Sequence, residues 1–108
     1  MITVDSVEGE TRTFDFSLKK DDVEFPLTGI ESSLRLELTT RASVTSVISA
    51  GVAVVSAGEG LVSYSPADAS ILTAANSPYR FRFYVVDASS KRHYFPNQGA
   101  NLWTVRKP

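Results

Sequence analysis

From Tyr79 to Val85 a large apolar residue falls at every second position (Tyr79, Phe81, Phe83, Val85), with Arg80, Arg82 and Tyr84 between them. A repeat of two puts alternate side chains on opposite sides of an extended chain, so the stretch reads as a strand with one face in a core and the other in water. The same period recurs at Phe14, Phe16 and Leu18, set against Thr13, Asp15, Ser17 and Lys19, and again at Leu34, Leu36 and Leu38, set against Arg35, Glu37 and Thr39. Leucine favours helices, yet only every second residue of the 34–39 stretch is apolar, which selects a strand. These ten inward residues are the predicted core.

Turn residues punctuate the rest. Asp21-Asp22 reads as a turn, and Val23 to Gly29 as a short edge strand running into a second turn, because Pro26 cannot donate a hydrogen bond to a central ladder. Residues 44–55, rich in β-branched side chains around Ala50-Gly51, read as one strand with a bulge or two short strands meeting at a corner. Gly58-Glu59-Gly60 closes a hairpin into Leu61–Tyr64. Ser65-Pro66-Ala67-Asp68 carries helix-start residues and predicts one or two helical turns through about Leu72. Asp87 to Ser90 turns the chain back into Arg92–Phe95. Pro96-Asn97-Gln98-Gly99 predicts a tight structural turn with Asn97 or Gly99 at positive φ, and Leu102–Val105 is the last strand. Roughly seven or eight short strands with one helical turn describe an all-β fold, an immunoglobulin-like antiparallel β-sandwich. A chain of 108 residues has room for one such domain, spanning 1–108.

The composition narrows function by exclusion. No cysteine is present, so disulfides, zinc-thiolate sites and thiol catalysis are out. A formal net charge of -1 supplies no positive field for nucleic acid or an anionic membrane, and neither is an expected partner. No apolar run approaches the ~18 residues of a membrane span, and Met1 to Asp5 has neither the basic start nor the apolar stretch of a secretion signal. The only histidine, His93, has no G-x-S-x-G serine to serve and reads as a surface strand residue. Asp21-Asp22 lacks a calcium-loop pattern, and Gly58-x-Gly60 lacks the third glycine and long helix of a phosphate loop. The chain is therefore read as a non-enzyme without cofactor or metal. Tyr64, Tyr84, Tyr94 and Trp103 lie on strands; any that point outward suit sugar stacking or an interface, while Trp103 is assigned to the core.

Charge placement says more than charge total. Residues 1–31 carry eight acidic against three basic residues, and residues 80–108 carry six basic against Asp87 alone. Either the first and last strands pair within the sandwich and neutralise one another, or opposite patches dock head to tail on copies or partners. The interface candidates are Asp21, Asp22 and Glu24 on one side and Arg80, Arg82 and Arg92 on the other.

Taken in order, Thr13-Phe14-x-Phe16-x-Leu18, Phe25-Pro26-Leu27-Thr28-Gly29 before Leu34-x-Leu36-x-Leu38, Gly60-Leu61-Val62-Ser63-Tyr64, Tyr79-x-Phe81-x-Phe83-x-Val85-x-Asp87 and Phe95-Pro96-Asn97-x-Gly99 form one pattern. It resembles the immunoglobulin-like domain of tailed-phage virion proteins, the type at the N-terminus of baseplate upper proteins, over about residues 11 to 106. The chain departs from that family at Ala88-Ser89-Ser90 and at Pro78, where the family usually has glycine. The resemblance implies a virion structural module of a tail, baseplate or head, made in the bacterial cytoplasm and carried in the virion. Its partners would be other virion proteins or copies of itself, with no catalytic residues to transfer. A carbohydrate-binding module, with a host-surface glycan as partner, and a capsid decoration protein are the alternative readings.

Overall fold

The computed structural model describes residues 2–20, 22–68, 70–96 and 101–108. These form strands β1 (Thr3–Val7), β2 (Phe14–Ser17), β3 (Lys19–Lys20), β4 (Val23–Glu24), β5 (Arg35–Thr39), β6 (Thr45–Ile48), β7 (Val52–Ser56), β8 (Leu61–Tyr64), β9 (Tyr79–Val86), β10 (Arg92–Phe95) and β11 (Asn101–Arg106). The larger sheet runs β1-β11-β9-β5-β6, with β10 also beside β9, and the second runs β2-β8-β7. The chain passes between these two sheets from β1 to β2, from β2 to β5, from β6 to β7 and from β8 to β9, which makes an all-β, sandwich-like fold. Strands β3 and β4 form a small hairpin within the passage from β2 to β5.

Period-two alternation explains why the sheets pack. Phe14, Phe16, Leu18, Leu34, Leu36, Leu38, Tyr79, Phe81, Phe83 and Val85 are all buried, as predicted, together with Val62, Tyr64 and Trp103. Aromatic rings meet edge to face across the interior: Phe14 and Trp103 at 4.7 Å between centroids, Phe81 and Trp103 at 5.4 Å. Such geometry sets the positive ring edge against the negative face. Trp103 is fully buried and its indole N–H donates to Ser6 Oγ at 2.9 Å, so it belongs to the core. Tyr79, at the start of β9, accepts from the Thr73 amide at 3.0 Å and donates to the Ile71 carbonyl at 3.3 Å, tying the β8–β9 connection to the sheet.

The 44–55 stretch resolves into the two-strand alternative, with β6 in the larger sheet and β7 in the smaller. Gly51 makes the corner at φ +79, where a Cβ would overlap the carbonyl oxygen of Ser65. Gly60 ends the β7–β8 hairpin at φ +66, and a Cβ there would lie 2.6 Å from the Phe25 carbonyl oxygen. Both positions need glycine for conformation and for space.

Three sequence expectations are corrected. Among the described residues of 65–72 there is no helical turn, because the Asp68 carboxylate accepts from the Ser70 amide at 2.8 Å in a local turn; a short 3-10 turn follows instead at Ala74–Asn76. The sandwich is not wholly antiparallel: β1, not foreseen as a strand, pairs parallel with β11. The edge strand expected to open Val23 to Gly29 is confined to Val23–Glu24, since Phe25 turns inward and Pro26 has no N–H to continue the ladder, while the turn expected at its end is present at Thr28 to Ile30. In the expected turn at Pro96, Asn97 and Gly99, Pro96 is a bend, and Asn97 and Gly99 lie outside the described residues.

Candidate functional site

The outer face of the larger sheet gathers chemistry that single strands only hint at. On β9 the residues between the core positions are Arg80, Arg82 and Tyr84, and on β5 they are Arg35, Glu37 and Thr39. Strand register sets Glu37 opposite Arg82 and Arg35 opposite Tyr84, while β10 brings Tyr94 opposite Tyr84 from the other side. Directly opposed residues on one sheet face are contact neighbours, and here they interleave guanidinium and phenol.

The contacts are specific. Arg82 Nε donates to Glu37 Oε1 at 2.8 Å, and its guanidinium carbon sits 4.0 Å above the ring centroid of Tyr94. The rings of Tyr84 and Tyr94 lie 5.5 Å apart, and Arg92 covers Tyr84 at 4.7 Å while donating to the Tyr94 hydroxyl at 3.3 Å. That hydrogen bond, foremost, makes Arg92 hold its proton more firmly than usual. Arg35 is braced by the Ser32 and Leu34 carbonyls at 2.9 and 2.8 Å, and Arg80 reaches Ser43 Oγ at 3.4 Å. Four arginines thus share this face with one glutamate, which pairs with Arg82. A guanidinium fixed in this way can take a carboxylate in two parallel hydrogen bonds with little ordering cost. One ring face of each tyrosine is already covered by a guanidinium.

The six interface candidates separate in space. Arg80, Arg82 and Arg92 share the face just described, and Glu37 with Tyr84 and Tyr94 completes it. Asp22 and Glu24 sit instead on the exposed β3–β4 hairpin, where Glu24 stands opposite Lys19, and Asp21 lies outside the described residues. At the chain's other charged region the first and last strands do pair: β1 lies along β11, and the Glu8 amide donates to the Arg106 carbonyl at 2.8 Å. Glu10 accepts from the Val7 amide at 2.6 Å and pairs with Arg12 at 2.7 Å; these bonds hold its carboxyl below the ordinary range. Glu37 was visible in the sequence as an outward residue of β5, but its pairing with Arg82 depends on cross-strand register, which no local pattern encodes.

His93 is more enclosed than a plain surface histidine. It meets Asp87 Oδ2 at 2.9 Å and packs its ring on Phe25 at 5.1 Å. Asp87 also accepts from the amides of Ser89 and Lys91 at 2.8 and 3.0 Å, so the pair shapes the β9–β10 turn. The His93 bond, followed by the Lys91 amide, lowers the carboxyl's proton affinity. Among the described residues no three histidine, aspartate or glutamate side chains gather as a metal-binding cluster. No protein-family model matches the chain, and no curated protein matches its sequence.

Proposed function

We propose that the chain is a structural module of a tailed-phage virion, attached at tail, baseplate or head, which works by docking on other virion proteins through the outer face of its larger sheet. The carrying observation is the interleaved cluster of Arg35, Arg82, Arg92, Tyr84 and Tyr94 around a single Glu37. Tyrosine and arginine are the residue types enriched where protein partners meet, and bracing them beforehand lowers the ordering cost of association. The resemblance of the strand-and-turn pattern to virion immunoglobulin-like domains supports the choice of a virion partner, and the excess of arginine points to an acidic docking surface.

Mass spectrometry of purified particles from the phage whose genome encodes the chain tests this reading. Recovery at a fixed ratio to the tail or head proteins is expected. An Arg82→Glu, Arg92→Glu double variant, folded by circular dichroism, should be incorporated at least tenfold less. Absence of the wild-type chain from particles that contain their other structural proteins would refute the proposal.

A further inference from the structure

A free sheet edge presents unpaired backbone N–H and C=O groups, and proteins usually blunt it with a charge, a proline or a bulge. Most free edges of this sandwich follow that rule. β1 carries Asp5, β2 carries Asp15, and β10 begins at Arg92 and runs into Pro96. β7 has no charge but breaks register between Val54 and Ser56, so that Val55 bulges out.

β6 follows none of these. Among the described residues it pairs with β5 alone. It lies within residues 42–58, a stretch between Arg41 and Glu59 that contains no charged residue. Its register is regular against β5. Both sides of the strand are open: Thr45 and Val47 point to the outer face, Val44 and Ser46 to the inner, and all four are exposed, Val44 by 60% and Val47 by 57%. Ile48, at the end of the strand, is half-buried against the core; the rest of β6 gives the monomer's core little, although its β-branched residues resemble those of a paired strand.

We infer that β6 is completed by β6 of a second copy, joined antiparallel about a two-fold axis into one continuous sheet. The inference rests on the reading that the chain acts by assembly and names one partner in it. A second copy fits because a two-fold edge contact requires only that the strand complement itself. With the axis at Ser46, Val44 of one copy stands opposite Ile48 of the other on the inner face and Thr45 opposite Val47 on the outer, so β-branched pairs flank a central pair of serines. The absence of charge means that identical copies meet without like-charge repulsion. Strand pairing alone covers less than the ~800 Å² per partner of a standard interface, so the free dimer is weak and is reinforced where copies are held close together.

The deciding experiment uses the absence of native cysteine. Opposed residues of an antiparallel pair have Cα atoms ~4.5–5.5 Å apart, within the range a disulfide spans. Ser46→Cys should therefore form a disulfide-linked dimer at least tenfold faster than Ser32→Cys, an exposed control away from β6. Sedimentation of the wild type from ~10 μM to ~1 mM should show mass rising from 11.8 kDa toward twice that value. The rise should be insensitive to salt and abolished in Ser46→Lys, which sets two ammonium groups against each other at an exposed position that leaves the fold intact. Cross-linking at Ser46 no faster than at Ser32, a monomer throughout the concentration range, or a dimer that Ser46→Lys leaves intact would each overturn the inference. None of these results bears on whether the chain is found in particles, so the virion reading stands or falls separately.

Discussion

Tyr64 is the most informative side chain to change. It is fully buried between the sheets with its ring 6.1 Å from that of Trp103, and its hydroxyl has no hydrogen-bond partner among the described residues. A buried hydroxyl left unmatched costs about 1–3 kcal/mol, while removing one oxygen leaves a void worth only a few tenths of a kcal/mol at about 24 cal/mol per Å³. Tyr64→Phe should therefore stabilise the fold by about 1 kcal/mol at neutral pH, a rise of roughly 4 °C or more in Tm. The pH dependence supplies an independent check. Burial, helped by the nearby Asp68 carboxylate, pushes the phenol from near 10 up to about 12. Because the folded value lies above the unfolded one, this contribution is whole below pH 10 and is lost as pH climbs toward 12, at about 1.4 kcal/mol per unit. Other groups titrate in the same window, so the quantity to follow is the difference between variant and wild type. It should widen by about 1 kcal/mol from pH 9 to 11. Urea unfolding followed by the fluorescence of the single tryptophan, Trp103, reports both values. A destabilised Tyr64→Phe at pH 7, or a gap that stays constant from pH 9 to 11, would refute the reasoning.

Three further outcomes are expected. Phe81→Ala removes a ring that touches Phe16, Phe83 and Trp103 and should cost about 3–5 kcal/mol in chemical denaturation; a Tm within two degrees of wild type contradicts the packing. Gly51→Ala should cost more than about 2 kcal/mol through strain and overlap with Ser65, whereas Gly9→Ala, also at positive φ but with nothing within 4 Å, should cost about 1 kcal/mol; equal losses would remove the steric argument. The Asp87 carboxyl titrates lower in the folded chain, so its contribution is present above pH ~4 and lost as pH falls below that. Asp87→Asn should thus flatten the acid limb of the Tm profile between pH 2.5 and 6, and an unchanged limb would show that the His93 contact carries no linkage.

The three best strands were legible because a two-residue period is local, and the sandwich follows once such faces exist. β1 escaped because its inward position at Ser6 is polar: the serine serves the indole of Trp103, a partner from the far end of the sequence. The helical turn expected after Ser65 failed for a related reason, since Asp68 fits a helix start and a local turn equally well, and the Ser70 amide decides between them. The same limit applies to the outer face. Arg80 and Arg82 announce themselves on β9, but the ring beneath Arg82 belongs to Tyr94 of the next strand and its carboxylate to Glu37 of another, so the cluster exists only once register is set. The uncharged stretch between Arg41 and Glu59 was plain in the sequence, but the exposure of Val44 to Val47 within it was not, because β-branched residues in a strand ordinarily signal burial.

The parallel pairing of β1 with β11 has a mechanical consequence. Thr3 stands beside Leu102 and Val7 beside Arg106, so the leading end of one strand and the trailing end of the other face opposite ends of the sandwich. A pull applied at Thr3 and Arg106 runs along both strands and loads the rungs between them in shear, all at once. An antiparallel hairpin pulled at its open end gives way one rung after another. The geometry makes the molecule stiffest along the line joining those two points, and its lifetime under tension is set by the simultaneous rupture of that ladder.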